Sequence, residues 1–215
     1  MGAFLVLFLI SLTAMAIEEP NFKVIAKSET FELRQYGPML IAETFVSGDM
    51  DGAGSTGFRK IADYIFGNNQ MQSGTNSAKI AMTAPVTMEP QSQKIEMTAP
   101  VMLAPSDNSA SATQWRVQFV MPSQYTMTNI PQPKSPDVKL REIAGKLFAV
   151  NRFTGFNTQS KVKSKSDALL EWIAQNNWKP LGPAQLARYD PPWTLPMFRR
   201  NEVMIEVQEL QTPTQ

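Results

Sequence analysis

The second half of this chain repeats the first. Leu33-Arg34 returns as Leu140-Arg141, Leu40 as Leu147, Ala42 as Ala149 and Gly48 as Gly155, all at one constant spacing. Ile65 with Asn68-Asn69 matches Ile173 with Asn176-Asn177 at a spacing one residue longer. Ile80-Ala81 and Pro85 match Leu186-Ala187 and Pro191 at a spacing one residue shorter. A register kept through two strand patterns, a helix pattern and a further strand predicts a duplicated β-β-α-β(β) unit, with pseudo-repeats over about 22–105 and 138–208. Each unit carries an apolar sheet face that requires cover. The expected fold class is therefore α+β, a distorted antiparallel β-barrel flanked by two α-helices.

Within the first unit the local patterns are specific. Phe22 to Arg34 reads as a strand, Tyr36-Gly37-Pro38 as a turn and Met39 to Val46 as the returning strand. Asp49 to Gly57 reads as a loop rich in Gly, Asp and Ser, after which Phe58, Ile61, Ala62, Ile65 and Phe66 form one helical stripe. Gly67 with Asn68-Asn69 supplies a helix stop. Two copies of Met-Thr-Ala-Pro-Val follow, in 79–86 and 94–101, both alternating as half-buried strands do. Glu89 to Gln93 between them reads as a hairpin connection. Pro85 and Pro100 lack an N–H, so each strand should end, bulge or lie at an edge there.

The later elements are a strand over Trp115 to Met121 and a long proline-containing loop from Gln124 to Asp137. Strands follow over Val138 to Ile143 and Leu147 to Phe153. A helix capped by Ser164 or Ser166 carries Leu169, Trp172 and Ile173 and stops near Asn177. The last strands cover Gln185 to Tyr189 and Val203 to Val207.

Composition removes whole classes of chemistry. The 215 residues contain no His and no Cys. A Ser-His-Asp triad, a thiolate nucleophile, a disulfide and the usual zinc ligand sets are excluded. A formal net charge of +1 supplies no basic field for nucleic acid. Residues 2–14 are almost all apolar, and Ala14-Met15-Ala16 forms a cleavage-site pattern, so residues 1–16 read as a signal peptide for a secreted or periplasmic protein. An uncleaved anchor over 2–16 is the alternative reading, and this segment is where membrane contact is expected. Residues 17–210 then form a single domain.

Near the end of the chain the residues become diagnostic. Tyr189-Asp190-Pro191-Pro192, followed by Arg199-Arg200-Asn201-Glu202-Val203, resembles the terminal signature of the SOUL/heme-binding protein family. The doubled Met-Thr-Ala-Pro-Val and the run from Trp115 to Ser123 are similar to the same family, over about Phe22 to Val207. The resemblance implies the duplicated barrel with two helices, akin to gyrase-inhibitor-like effector-binding domains. It also implies non-covalent binding of heme or another tetrapyrrole at a shallow apolar site, without a catalytic role.

A porphyrin needs an apolar surface and cations for its propionates. The residues expected to supply them are Phe58, Arg59, Lys60, Ile61, Tyr64 and Ile65 on the first helix, with Met82, Met97 and Arg199. Lys60 falls where animal members of the family carry a Lys, whereas Asp63 reverses the charge those members tend to carry. Iron ligation would fall to Met82, Met97, Met121 or Tyr64. No catalytic residues and no metal site are expected. Phe58, Ile61 and Ile65 at helical spacing read more simply as core and Met82 and Met97 as core filler, while Arg199 to Glu202 reads equally as an ion-pair and capping cluster with Asp190. The leading expectation is an exported tetrapyrrole carrier, scavenger or buffer. A barrel binding another apolar small molecule or lipid at an envelope is the second, and an enzyme using Glu43, Glu96 or Glu202 the third.

Overall fold

The two halves build one sheet by exchanging strands. The computed structural model describes residues 17–91, 112–191 and 193–209. The first half forms β1 (Phe22–Ser28), β2 (Phe31–Tyr36), β3 (Met39–Ser47), α1 (Met50–Ile65), β4 (Asn69–Gln70), β5 (Val86–Gln91) and β6 (Gln114–Val120). The second forms β7 (Gln132–Pro133), β8 (Lys139–Ile143), β9 (Leu147–Thr154), α2 (Gln159–Gln175), β10 (Trp178–Pro180), β11 (Gln185–Arg188), a 3-10 turn (Pro196–Phe198) and β12 (Arg200–Glu209). The main sheet runs β1-β2-β9-β12-β11-β5-β6-β3-β8, with β10 also on β12.

From β2 to β8 this order reads the same in both directions once the halves are exchanged. The register obeys the same symmetry. Leu33 lies across from Ala149 and Leu140 across from Ala42, the pairs expected from the constant spacing between the halves. β2 of the first half is thus hydrogen-bonded to β9 of the second and β8 of the second to β3 of the first, and β5 meets β11 at the centre. Neither half completes its sheet alone. The result is a curled antiparallel sheet forming a half-barrel with two helices, an α+β fold as expected from the repeat.

Strand alternation assigns the faces. Leu40 and Ala42 of β3, Val117 and Phe119 of β6, Ala149 and Phe153 of β9, and Val203 and Ile205 of β12 are buried in one core. Ile61 and Ile65 of α1 and Leu169 and Ile173 of α2 close that core from one side. The residues between them on each strand face the other way, where the sheet curls into a groove.

Several boundaries differ from the sequence expectation. The stretch read as the Asp49–Gly57 loop is the first half of α1, capped by the Asp49 side chain accepting from Gly52 N at 2.8 Å. Its glycines mark close packing. A Cβ on Gly57 would lie 2.7 Å from Val117 Cβ, and one on Gly54 2.8 Å from Met88 Sδ. α2 likewise starts earlier than expected, and Thr158 is its cap rather than Ser164 or Ser166. The helix stops are as read, with Gly67 at φ 130° and Asn177 at φ 57°. The first strand is broken into β1 and β2 at Glu29, whose φ is 49°.

The first Met-Thr-Ala-Pro-Val copy is not a strand up to its proline. The strand begins at Val86, directly after Pro85, and includes Glu89 and Pro90, which had been read as the hairpin connection. Upstream, backbone groups are satisfied by other partners. Asn69 bonds both Ala78 N and Ala78 O at 2.9 and 2.7 Å, Ile80 N donates to Ile65 O at 2.9 Å, and Thr83 makes a single bridge to Glu18. The match of Ile80-Ala81 to Leu186-Ala187 therefore fails, because Leu186 pairs with Met88 on the strand. The second copy, 94–101, with Met97 and Glu96, lies outside the described residues.

Candidate functional site

The residues expected to form the site on α1 divide by face. Ile61, Tyr64 and Ile65 point inward and are buried in the core. The Tyr64 hydroxyl donates to Pro131 O at 2.8 Å, and burial pushes its pKa well above the usual phenol value. Phe58 is half-buried, its ring 5.5 Å from that of Phe119. Arg59 points outward and donates to Thr56 Oγ1 at 3.2 Å, while Lys60 pairs with Asp137 at 2.7 Å. Met82 is half-buried against the core, and Met121 is within it. Arg199 lies in the second half, where Nε donates to Thr194 O at 2.7 Å and the guanidinium stands 5.7 Å from the Phe156 ring. None of these residues lines the groove of the half-barrel.

That groove is made by the strand positions facing away from the helices. Its apolar part comes from both halves: Tyr36, Met39 and Ile41 around β2 and β3, Ile143 and Phe148 on β8 and β9, and Met204 on β12. Pro20 and Pro85 also line it. Arg116, Arg141, Lys146 and Glu89 supply its charges. It encloses about 110 Å³.

Two ion-pair networks adjoin the groove, reaching its lining through Arg116, Arg141 and Glu89 on one side and Tyr36 on the other. On one side Glu43 accepts from Arg141 Nε and Nη2 at 3.2 and 3.0 Å, and Glu89 accepts from Arg116 Nε at 3.1 Å. Burial would lower the pKa of Arg141, but its bonds to Glu43 come first and raise it. On the other side Arg34 makes a two-pronged pair with Glu202 at 2.8 and 3.1 Å, joined by the Tyr189 hydroxyl donating to Glu202 at 2.6 Å. Burial opposes the charge on Arg34, yet the bonds to Glu202 hold its pKa above the ordinary value. Burial, and then the Glu202 carboxylate, push the Tyr189 phenol strongly upward. Glu32 bonds Arg34 Nε at 2.8 Å, and Lys146 pairs with Glu206 on the rim.

Asp190, Arg200 and Asn201 make the ion pairs and capping bonds of the ion-pair reading. Asp190 accepts from Arg200 N at 2.6 Å, Asn201 donates to Gly155 O at 2.9 Å, and Arg200 pairs with Glu19 at 2.5 Å. The groove's lining was not picked out as a binding site in the sequence because its strands were read by the apolar face. Met39, Arg116, Arg141 and Met204 occupy the alternate positions, which mix thioethers with charges and give no single-type stripe.

The donor set suits an anionic, flat, apolar guest. Apolar and aromatic side chains provide contact surface, and Arg116, Arg141 and Lys146 provide cations for carboxylates. Toward iron the described lining offers the Met39 and Met204 thioethers, the Tyr36 phenol and the Glu89 carboxylate, and no imidazole or thiolate.

Comparison with known proteins agrees with this architecture. The family model described as SOUL heme-binding protein matches residues 17–94 and 88–206. Human heme-binding protein 2 is 31% identical over 155 residues, covering 69% of this chain and 65% of that protein. The mouse protein of the same name is 29% identical over 153 residues, covering 68% and 64%. The match thus spans just under two thirds of each relative's length. Among solved structures, the EcmrR C-terminal domain superposes with a TM-score of 0.56 at 8% identity, covering 84% of this chain and 98% of that one. A structure described as a hydrolase from Listeria innocua gives a TM-score of 0.52 at 13% identity, covering 86% and 94%. At such identities the likeness concerns the fold alone. The two matched segments together take in both halves of the strand-exchanged sheet, and the chain belongs to the SOUL heme-binding protein family.

Proposed function

We propose that this chain is an exported, non-catalytic carrier or buffer that holds heme or another tetrapyrrole non-covalently across the groove between its halves. The observation that carries the proposal is the apolar groove edged by Arg116, Arg141 and Lys146. Its volume of about 110 Å³ is below the ~300–1,000 Å³ of an enclosing ligand pocket. The macrocycle would therefore lie across the opening with one face toward solvent, as suits a protein that must release its cargo. The rim pair Lys146–Glu206 is partly exposed, and such pairs contribute only about 0–1 kcal/mol. Exchanging its carboxylate for a propionate costs little, whereas Arg141, itself 44% exposed, would meet a propionate while staying paired with the buried Glu43. Export rests on the apolar 1–16 segment.

With no His or Cys, affinity comes from apolar contact and propionate pairing rather than from iron. Titrations followed at the Soret band should give metal-free protoporphyrin an affinity within about tenfold of that for heme, a difference of ~1.4 kcal/mol. Arg141→Glu with Lys146→Glu should weaken both ligands together. A strong preference for heme with a low-spin six-coordinate spectrum would contradict this account and point to Met or Tyr ligation. Loss of binding in Arg59→Glu with Lys60→Glu, but not in the rim variant, would move the ligand to the outer face of α1. The small groove volume also favours a second reading, a binding module for a smaller apolar molecule. Binding of hydrophobic dyes without porphyrin binding would select it.

A further inference from the structure

A second surface, away from the groove lining, carries a cost that the proposed function does not explain. The segment after β11 displays Trp193, Leu195, Met197 and Phe198 to solvent, and Phe156 stands beside it. Trp193 is 83% exposed and Phe198 69%, values of protruding side chains rather than of a lined cleft. The display is built, not loose. Thr194 N donates to Pro191 O at 3.0 Å, Phe198 N to Leu195 O at 2.9 Å, and Arg199 N to Pro196 O at 3.1 Å. Gly155 N donates to Arg199 O at 3.3 Å, tying the Phe156 loop to the same base.

Cations lie at the base of this tip. Lys161 at the start of α2, whose first turn has no acid, donates to Thr154 O at 2.8 Å beside the Phe156 loop, and Lys163 and Lys165 follow it along the helix. Arg199 and Arg200 directly follow Phe198, with Arg200 3.5 Å from the Tyr189 ring, and Arg188 ends β11. The nearby acids are Asp51 and Asp167, paired with Arg188 and Lys163, Asp190, which caps Arg200 N, and Glu19, paired with Arg200. Lys161 and Lys165 form no ion pair among the described residues. The local excess is positive in a chain whose formal net charge is only +1.

We propose that the tip formed by Trp193 to Phe198, with Phe156, docks into the interface of a membrane containing anionic lipid. A rigid wedge of Trp, Phe, Leu and Met at its point and Lys and Arg at its base has the composition of an interfacial anchor. A bilayer accepts a protruding wedge, whereas a protein partner would need a matching pocket. The chain's path supports the same occupant. The apolar residues 2–16 precede Glu19, and Glu19 is held by Arg200 at the foot of this tip. The folded domain then meets the membrane whether or not residues 1–16 are removed on export, and the groove receives or gives up its guest close to the bilayer.

Fluorescence of the full chain with vesicles tests this. Trp115 and Trp172 are buried and Trp178 is half-buried, so a change on docking reports mainly Trp193. Vesicles of phosphatidylcholine with phosphatidylserine should shift the emission to the blue, and brominated lipids should quench it. Pure phosphatidylcholine should do so more weakly. Trp193→Ser with Phe198→Ser should lower vesicle partitioning by about tenfold or more, while porphyrin titration of that variant is unchanged. Lys161→Gln with Lys165→Gln should reduce the preference for the anionic vesicles. Unaltered emission and quenching would overturn the proposal, as would equal sedimentation of wild type and the Trp193/Phe198 variant, which would assign binding to residues 2–16. Concentration-dependent dimerisation that the same variant abolishes would overturn it in favour of a second copy of the chain.

Discussion

Removing Glu202 should bring this fold close to unfolding. Its carboxylate accepts two bonds from Arg34, at 2.8 and 3.1 Å, and one from Tyr189 at 2.6 Å. The Arg34 and Glu202 side chains are only 5% and 2% exposed. In Glu202→Ala the guanidinium keeps Glu32 at Nε as its one anionic neighbour, and the Tyr189 hydroxyl loses its acceptor. Breaking a buried pair from one side costs about 3–5 kcal/mol, and an orphaned hydroxyl about 1–3 kcal/mol. The two losses belong to one network and do not add fully, so about 4 kcal/mol is expected. Arg34→Met should cost about 3 kcal/mol, since it leaves Glu202 with Tyr189 as its donor. Arg34→Met with Glu202→Leu removes both charges together and should fall short of the sum of the single losses by about 2 kcal/mol or more. Urea unfolding followed by tryptophan fluorescence measures each value, with an unchanged slope confirming that stability alone has moved. Raising salt to about 0.5 M should leave the coupling nearly intact, because buried pairs are poorly screened. Single losses below about 1 kcal/mol, or a strictly additive double variant, would refute the argument and make this a solvated surface pair.

Gly57→Ala should destabilise the protein by about 1–3 kcal/mol, although Ala is the better helix former by about 1 kcal/mol. The added Cβ would meet Val117 on β6, so Val117→Ala should partly rescue it in the same urea assay. Stability should also depend on pH at both ends of the range. The Tyr189 phenol is raised above its ordinary value of 10.0, so its contribution is complete below pH 10 and is lost as pH rises further; Tyr189→Phe should flatten that alkaline loss. Burial would raise the pKa of Glu32, but bonds from Lys27 and Arg34 hold it below its ordinary 4.5. Its contribution is present above that pH and lost as pH falls through the folded value, and Glu32→Gln should flatten the acid limb of a melting-temperature profile.

Some features were legible before any fold was known. The recurrence of Leu33-Arg34 as Leu140-Arg141 and of Ala42 as Ala149 named residues that occupy exchanged places across the sheet. The helix stripes ending at Ile65 and Ile173, with stops at Gly67 and Asn177, follow from local packing and backbone preference. Lack of His and Cys confined any tetrapyrrole site to apolar contact, ion pairing and weak ligands. Other readings failed for identifiable reasons. Gly52, Gly54 and Gly57 looked like loop residues because glycine disfavours helices; Gly54 and Gly57 are present because strands β5 and β6 pass too close for a side chain. Ile80 to Pro85 alternates like a strand, but Ile80 N is taken by Ile65 O at the end of α1 and Ala84 N by Glu18 O.

Local periodicity thus determined most of the strands and helices and that they occur twice, and composition determined what chemistry the chain lacks. Tertiary structure alone decided that the halves exchange strands and that the groove lies on the face away from the helices. Alternation states only that a strand has two faces. Which one takes a helix and which one takes charges depends on partners such as Arg34 and Glu202, which are 168 residues apart and meet only when the sheet curls.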